Sequence, residues 1–195
     1  MGGVETTILQ IERAARAGGG GLWPRGVRRA AVAVIFRQGG AGLEVLLIRR
    51  AEAKGDRWSG HMAFPGGKVD PGDADARAAA ARETGEEIGL SLDRSGVFLG
   101  RLSTVWTLRP RGVAPMMVIP CVFALVESAP LGLGVEVQEV VWIPWSFFED
   151  ASRREIYERP VAGVPVRFGC YRYEGRLIWG LTYQMIEGLC GRLRP

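Results

Sequence analysis

Hydrophobic and polar positions follow two rhythms along this chain. From residue 4 to 17 the apolar positions Ile8, Ile11 and Ala15 fall near helical spacing, and the run Gly18 to Gly21 stops them, which predicts a helix followed by a link. Two β-branched and apolar runs come next, Ala30 to Arg37 and Leu43 to Arg49. Gln38, Gly39, Gly40 and Ala41 separate them, and together they predict a hairpin or a closely spaced pair of strands. Residues 51–72 lose the periodicity and are dense in Gly, Pro and charge. They predict a long ordered loop, a kind of segment that often carries function. A helix is predicted over 73–88, with Pro71 and Gly72 as turn residues, Asp73 as N-cap and Gly89 as the stop. Strands are predicted at 96–106, 116–126 and 137–143, β-like runs at Val164 to Phe168 and Tyr171 to Ile178, and a closing helix over Gly180 to Leu193. This order argues for an α/β fold, a mixed sheet flanked by helices.

Composition narrows the class. With 195 residues, 47% of them hydrophobic, the chain supports one domain with a full core, read as a helix and Gly-rich link over 1–28 and the main domain over 29–195. No run of about 18 apolar residues appears, and Glu5, Glu12 and Arg13 break the basic-then-apolar order of a secretory signal, so a soluble cytoplasmic protein without a membrane partner is expected. Cys121, Cys170 and Cys190 are odd in number and widely spaced, which predicts buried free thiols rather than disulfides or a zinc site. The net charge of +4 is modest, and the basic residues are scattered without interleaved aromatics, which argues against nucleic acid as a partner.

The helix over 73–88 carries the candidate chemistry. An ideal wheel puts Ala74, Ala78, Ala81, Gly85 and Ile88 on a stripe about 80° wide that suits packing on a sheet, with Glu83, Glu86 and Glu87 on the opposite arc. Spacings of three and four residues make those carboxylates neighbours, and like charges so placed cost a few tenths of a kcal/mol per pair. Negative charge near a helix C-terminus and glycine inside a helix add to the cost. A run of glutamates is ordinarily a solvated face. Here Gly66 and Gly67 stand at the entrance to the same helix, where backbone carbonyls meet a metal and backbone amides meet phosphate. A hard divalent cation with oxygen ligands is the natural compensation, and Arg82 offsets part of the charge.

Arg82-Glu83-Thr84-Gly85-Glu86-Glu87-Ile88-Gly89-Leu90 resembles the second half of the signature of the Nudix hydrolases, departing only at Thr84. The first half departs further: Gly67 lies fifteen rather than fourteen residues before Arg82, and Ala74, with Asp73 beside it, stands where an early Glu is expected. Leu46, Leu47, Arg50, Ala51, Gly60 and Phe64-Pro65-Gly66-Gly67 resemble the coenzyme A diphosphatase branch of that family, as does Ile178-Trp179-Gly180-Leu181-Thr182 near the C-terminus. Ile48 replaces the branch's usual Thr, and Arg57 is out of register with its internal Arg.

The resemblance implies a Nudix fold, a mixed sheet sandwiched between helices. It further implies a metal-dependent hydrolase of a diphosphate bond, acting on coenzyme A to give 3′,5′-ADP and 4′-phosphopantetheine, or on ADP-ribose, an ADP-sugar or another nucleotide. A catalytically silent binding module is the reading from another class. By the same resemblance Glu83, Glu86 and Glu87, with the carbonyl of Gly66 or Gly67, would hold Mg²⁺ or Mn²⁺. Arg82 would assist them, while Arg49, Arg50, Arg57 and Gly66 would bind substrate phosphates. The general base is either a box glutamate or a later carboxylate, Glu136 or Glu139. His61, the only histidine, reads more readily as a structural hydrogen-bonding residue than as a base. The partner is a small nucleotide, with a homodimer left open.

Overall fold

The computed structural model describes residues 2–17, with side chains from residue 7 on, and residues 26–40, 42–52, 60–107, 115–127, 129–161 and 163–193. A helix α1 (Gly2–Ala17) leads into one mixed sheet of eight strands: β1 (Arg28–Gly39), β2 (Gly42–Arg50), β3 (Met62–Ala63), β4 (Gly66–Lys68), β5 (Gly96–Arg101), β6 (Val105–Trp106), β7 (Met116–Leu125) and β8 (Val137–Pro144). β1 is central. It pairs antiparallel with β2 and β4 and parallel with β7. β2 in turn carries β3 and β8, and β7 carries β5 and β6.

Both faces of this sheet are covered, which is why its long strands read as near-continuous apolar runs. By strand alternation Ala33, Ile35, Leu46 and Ile48 pack with α2 (Ala76–Ile88) and the short α3 (Leu92–Ser95). Val34, Phe36, Val45 and Leu47 pack on the opposite face with α1, α4 (Trp145–Glu149) and α5 (Gly180–Leu193). A second, three-stranded sheet lies on that side: β9 (Glu155–Val161), β10 (Val164–Tyr173) and β11 (Arg176–Trp179). The predicted N-terminal helix is part of this core, with Ile11 and Ala15 fully buried and the Ala14 carbonyl accepting a bond of 2.8 Å from Arg192.

The differences from expectation have local causes. The stretch 96–106 is two strands, β5 and β6, both pairing with β7. The two β-like runs near residues 164–178 continue through Gly169 and Cys170 as β10, and β11 then begins at Arg176. β9 carries charges and Pro160 and is almost wholly exposed, as suits an edge strand, so it lacks the apolar alternation that marks a strand in sequence. α3 and α4 are too short to show a helical period. Cys121, Cys170 and Cys190 are free and buried, as expected. Among the described residues no helix is long and apolar enough to cross a membrane.

Candidate active site

Five alanines between positions 76 and 81 make α2 small on nearly every side, so a wheel alone cannot say which side meets the sheet. The buried positions are Ala76, Ala79, Ala80, Ala81, Thr84, Glu87 and Ile88. The predicted stripe is therefore corrected: Ala74 and Gly85 are exposed, and Glu87 lies on the packed face with only 6% of its surface exposed. Glu83 is half-buried and Glu86 is exposed, so the three carboxylates form a gradient from interior to solvent. The buried Thr84 hydroxyl donates to the Ala80 carbonyl at 2.7 Å, which satisfies it within the helix.

What admits Glu87 is the glycine pair on β4. The Gly66 N–H donates to Glu87 Oε2 at 2.8 Å. Ala33 N–H donates to the Pro65 carbonyl and Val69 N–H to the Arg29 carbonyl, at 2.8 and 3.0 Å, so Ala31 and Gly67 form the bonded pair between them. Gly66 thus turns its N–H and carbonyl away from β1 toward α2. Of the two carbonyls considered as metal donors, Gly67's is directed into the ladder with β1, away from the carboxylates of α2, which counts against its assignment as a metal ligand. The Gly67 α-carbon serves differently: a Cβ there would stand 2.4 Å from the Glu83 carboxylate.

Arg50 extends the cluster. Its guanidinium lies 3.6 Å from Glu87 Oε1 and 3.6 Å from Glu136 Oε2. Glu136 is placed by the segment that caps α2, in which Gly134 N–H donates to the Glu87 carbonyl and Gly132 N–H to the Ile88 carbonyl, at 2.8 and 3.0 Å. The Glu136 carbonyl also accepts from Ala51 N–H at 2.8 Å, which ties that segment to the end of β2.

Arg82 is held on several sides. Its Nε and Nη2 donate to the two oxygens of Asp73 at 3.0 Å each, Nη2 also donates to the Lys68 carbonyl at 3.1 Å, and Nη1 lies 3.0 Å from Glu83 and 3.1 Å from Glu86. Asp73 is therefore the anchor of Arg82 and not the helix cap. The cap is Asp75, whose side chain accepts from Ala78 N–H at 2.9 Å. Asp73 was recognisable in sequence by counting six residues forward from Gly67, whereas counting back from Arg82 lands on Ala74. Replacing Asp73 by alanine is expected to cost about 2 kcal/mol, the scale of losing hydrogen bonds to a charged group, measured by urea unfolding at pH 7. Arg82 holds the Asp73 carboxyl below its ordinary value, so this contribution is complete above about pH 3.8 and fades as pH falls through the lowered value.

Two predicted residues lie elsewhere. Arg49 pairs across the strands with Glu139, whereas Arg50, beyond a register shift, pairs with Val137 and turns its side chain to Glu87 and Glu136. Glu139 accepts a bidentate pair from Arg176, which lowers its pKa, with a smaller contribution from Arg49, and engages it in docking β11 onto β8. Neither is part of the cluster around Glu87, and the assignments of Arg49 to substrate and Glu139 to proton transfer are corrected on that ground. Arg57 lies outside the described residues.

Burial is the largest influence on Glu87 and pushes its pKa up to about 7. Gly66 N–H and Arg50 pull it down, and Glu83 and Glu136 push it further up. Burial raises Glu83 as well. Among the described residues no three acidic, thiol or imidazole side chains already converge on one point, because Glu83 and Glu86 are both turned to Arg82. The donors still fit a hard divalent cation. They are all oxygen, Glu83 and Glu87 both reach the Gly66–Gly67 pair, and the shifted Glu87 lacks a full counter-charge.

A mixed sheet whose glycine pair receives carboxylates from an Arg-Glu-x-x-Glu-Glu helix sets oxygen donors beside a backbone amide, an arrangement suited to a metal ion and a phosphorylated substrate. The chain belongs to the NUDIX domain family, whose model matches residues 26–160, and it is accordingly a hydrolase of pyrophosphate bonds. Members of this family generally use divalent metal ions. Over 154 residues it is 30% identical to the uncharacterized Nudix hydrolase NudL of Photorhabdus laumondii, covering 76% of this chain and 77% of that one. It is similar to the C. elegans Ap4A hydrolase in a binary complex, at 27% identity and a TM-score of 0.51 over 62% of this chain and 82% of that chain. A NUDIX hydrolase from Nitrosomonas europaea, at 18% identity, shares the fold over 86% of this chain and 91% of its own, with a TM-score of 0.51.

Proposed function

We propose that this chain hydrolyses the diphosphate of a nucleotide-linked small molecule with Mg²⁺ or Mn²⁺, and that coenzyme A or a derivative is its substrate. The observation that carries the reading is the joint approach of Glu83 and Glu87 to Gly66–Gly67, with Arg50 and Glu136 alongside. Glu83, Glu86, Glu87 and the Gly66 carbonyl would hold the cation, which when bound supplies charge neutralisation at the diphosphate and activation of water. Arg82, fixed by Asp73, positions Glu83 and Glu86. Arg50 stands where a guanidinium stabilises phosphate oxygens as charge develops. Glu136, more than half exposed at 68% and 3.6 Å from Arg50, is the carboxylate placed to accept a proton from the attacking water.

Support for coenzyme A comes from two segments that resemble the diphosphatase branch and that meet in space. The Thr182 hydroxyl donates to the Met62 carbonyl at 3.1 Å, and Trp179 packs on His61 at 5.1 Å, so the C-terminal segment braces the approach to Phe64-Pro65-Gly66-Gly67. The likeness to the Ap4A hydrolase favours a second reading, a dinucleoside polyphosphate. Purified protein with Mg²⁺ is to be given coenzyme A, ADP-ribose and Ap4A, with products identified by mass. Release of 3′,5′-ADP from coenzyme A, abolished by a chelator, is the expected result. Rapid cleavage of Ap4A or ADP-ribose with coenzyme A untouched overturns the substrate assignment.

A further inference from the structure

We propose that the outer face of the β9–β10–β11 sheet is a stacking platform for the nucleobase of the substrate, centred on Trp179. This rests on the nucleotide-hydrolase reading above and adds a site to it.

Strand alternation separates the two faces of the small sheet. Tyr171 and Ile178 are fully buried in the core cluster under α4 and α5. Their neighbours in the chain point the other way, and cross-strand pairing lines them up: Tyr157 stands opposite Phe168, and Cys170 opposite Trp179. Three aromatic rings thus cross three strands on the face the core does not use. Tyr157, Phe168 and Trp179 are each only half-buried, so they present ring surface to solvent.

Their arrangement is that of a fixed surface. Tyr157, Phe168 and His61 surround the indole at centroid distances of 5.2, 5.4 and 5.1 Å, with planes tilted by 67, 68 and 63°. Edge-on packing of this kind fixes the indole without stacking another ring on it. The Arg159 guanidinium lies 5.1 Å from the ring centroid. That gap is too narrow to hold a base between the two, so the exposed Arg159 side chain would swing outward and stack on the far side of a planar, polarisable base seated on the indole. An aromatic platform already held rigid loses little entropy when a ligand arrives.

The platform is joined to the site by short links. The His61 carbonyl accepts from Arg50 N–H and the Arg50 carbonyl from Gly60 N–H, at 3.0 and 3.1 Å, and the Arg50 side chain reaches Glu87 and Glu136. A nucleotide with its diphosphate at Arg50 and Glu87 would extend its base past His61 onto Trp179. Adenine is common to coenzyme A, ADP-ribose and Ap4A, so the platform serves each of the substrates under test.

The experiment uses the whole chain, with metal chelated, titrated by calorimetry with AMP and with ribose 5-phosphate, which lacks the base. AMP is expected to bind at least about fivefold more tightly, as base–aromatic stacking of about 1 to 3 kcal/mol implies. Trp179→Leu should abolish that difference and leave ribose 5-phosphate unaffected, and Trp179→Phe should retain most of it. Should Trp179→Leu fail to fold, Tyr157→Leu at a half-buried position of β9 and Arg159→Ala at an exposed one carry the same expectation. Equal binding of AMP and ribose 5-phosphate, or AMP binding indifferent to these substitutions, overturns the platform. With an active substrate, Arg159→Ala, which leaves the Trp179–His61 brace in place, should raise KM about fivefold or more and leave kcat within about twofold. Base-dependent AMP binding without turnover of any diphosphate would uphold the platform and sink the hydrolase substrate reading. Turnover with KM unchanged by Arg159→Ala would do the reverse.

Discussion

Glu87→Gln is expected to lower turnover by roughly 10²- to 10³-fold, the scale of removing one group that supports developing charge, and at the same time to stabilise the metal-free protein at pH 8. The second half follows from burial. The folded protein raises the Glu87 pKa from 4.5 to about 7, so folding favours the protonated form. Below about pH 4.5 the group is neutral folded or unfolded and costs nothing. The cost grows between 4.5 and 7 and is complete above 7, so wild-type stability declines through that window relative to the variant. At about 1.4 kcal/mol per pKa unit the difference at pH 8 is on the order of 3 kcal/mol. Glutamine keeps an oxygen to accept from Gly66 N–H while discarding the buried charge. Urea unfolding in chelator at pH 4 and pH 8 measures it: near-equal midpoints at pH 4 and a higher midpoint for the variant at pH 8. Saturating Mg²⁺ should restore the wild type and leave the variant unmoved. A variant less stable than wild type at pH 8 would show that Glu87 is a structural anchor whose charge the fold requires.

The strands that build the main sheet were legible because both faces are apolar: 30–37, 43–49, 116–126 and 137–143 match β1, β2, β7 and β8 to within a few residues. The acidic helix was legible from its like charges and internal glycine, features that cost stability and need a reason. Its orientation was not, because a helix nearly all alanine offers no contrast to a wheel, and the side that packs is chosen by where Gly66 and Gly67 let a backbone come close. The separation of Arg49 from Arg50 was not readable, because a register shift against β8 falls between them. Glu139 and Glu136 could not be separated, since that depends on Arg176 arriving from a hairpin 37 residues further along. The small sheet was half visible, with the aromatic positions of β10 and β11 apparent and the charged edge strand β9 hidden.

Alanine at the two glycines of β4 is expected to separate fold from function. At Gly66 the backbone has φ of 148°, and a Cβ would stand 2.3 Å from the Ala31 carbonyl oxygen and 2.6 Å from the Val32 α-carbon. Those are backbone atoms of the central strand and cannot yield, so Gly66→Ala should cost about 3 kcal/mol or more, through strain and through retreat of β4 from β1. At Gly67 the Cβ meets the Glu83 carboxylate instead, at 2.4 to 2.6 Å. That is the tip of a flexible side chain, and it can swing aside with the strand intact. Gly67→Ala should therefore melt within about 3 °C of wild type, a change of about 1 kcal/mol or less, yet lose roughly 10- to 100-fold in turnover, the scale of disturbing a group that orients a metal site. The pair is informative because both substitutions add the same methyl group one residue apart. Full activity in a folded Gly67→Ala protein would mean that Glu83 works from a position other than the one against Gly67, and a metal-holding role for that carboxylate beside the glycine pair would fall with it.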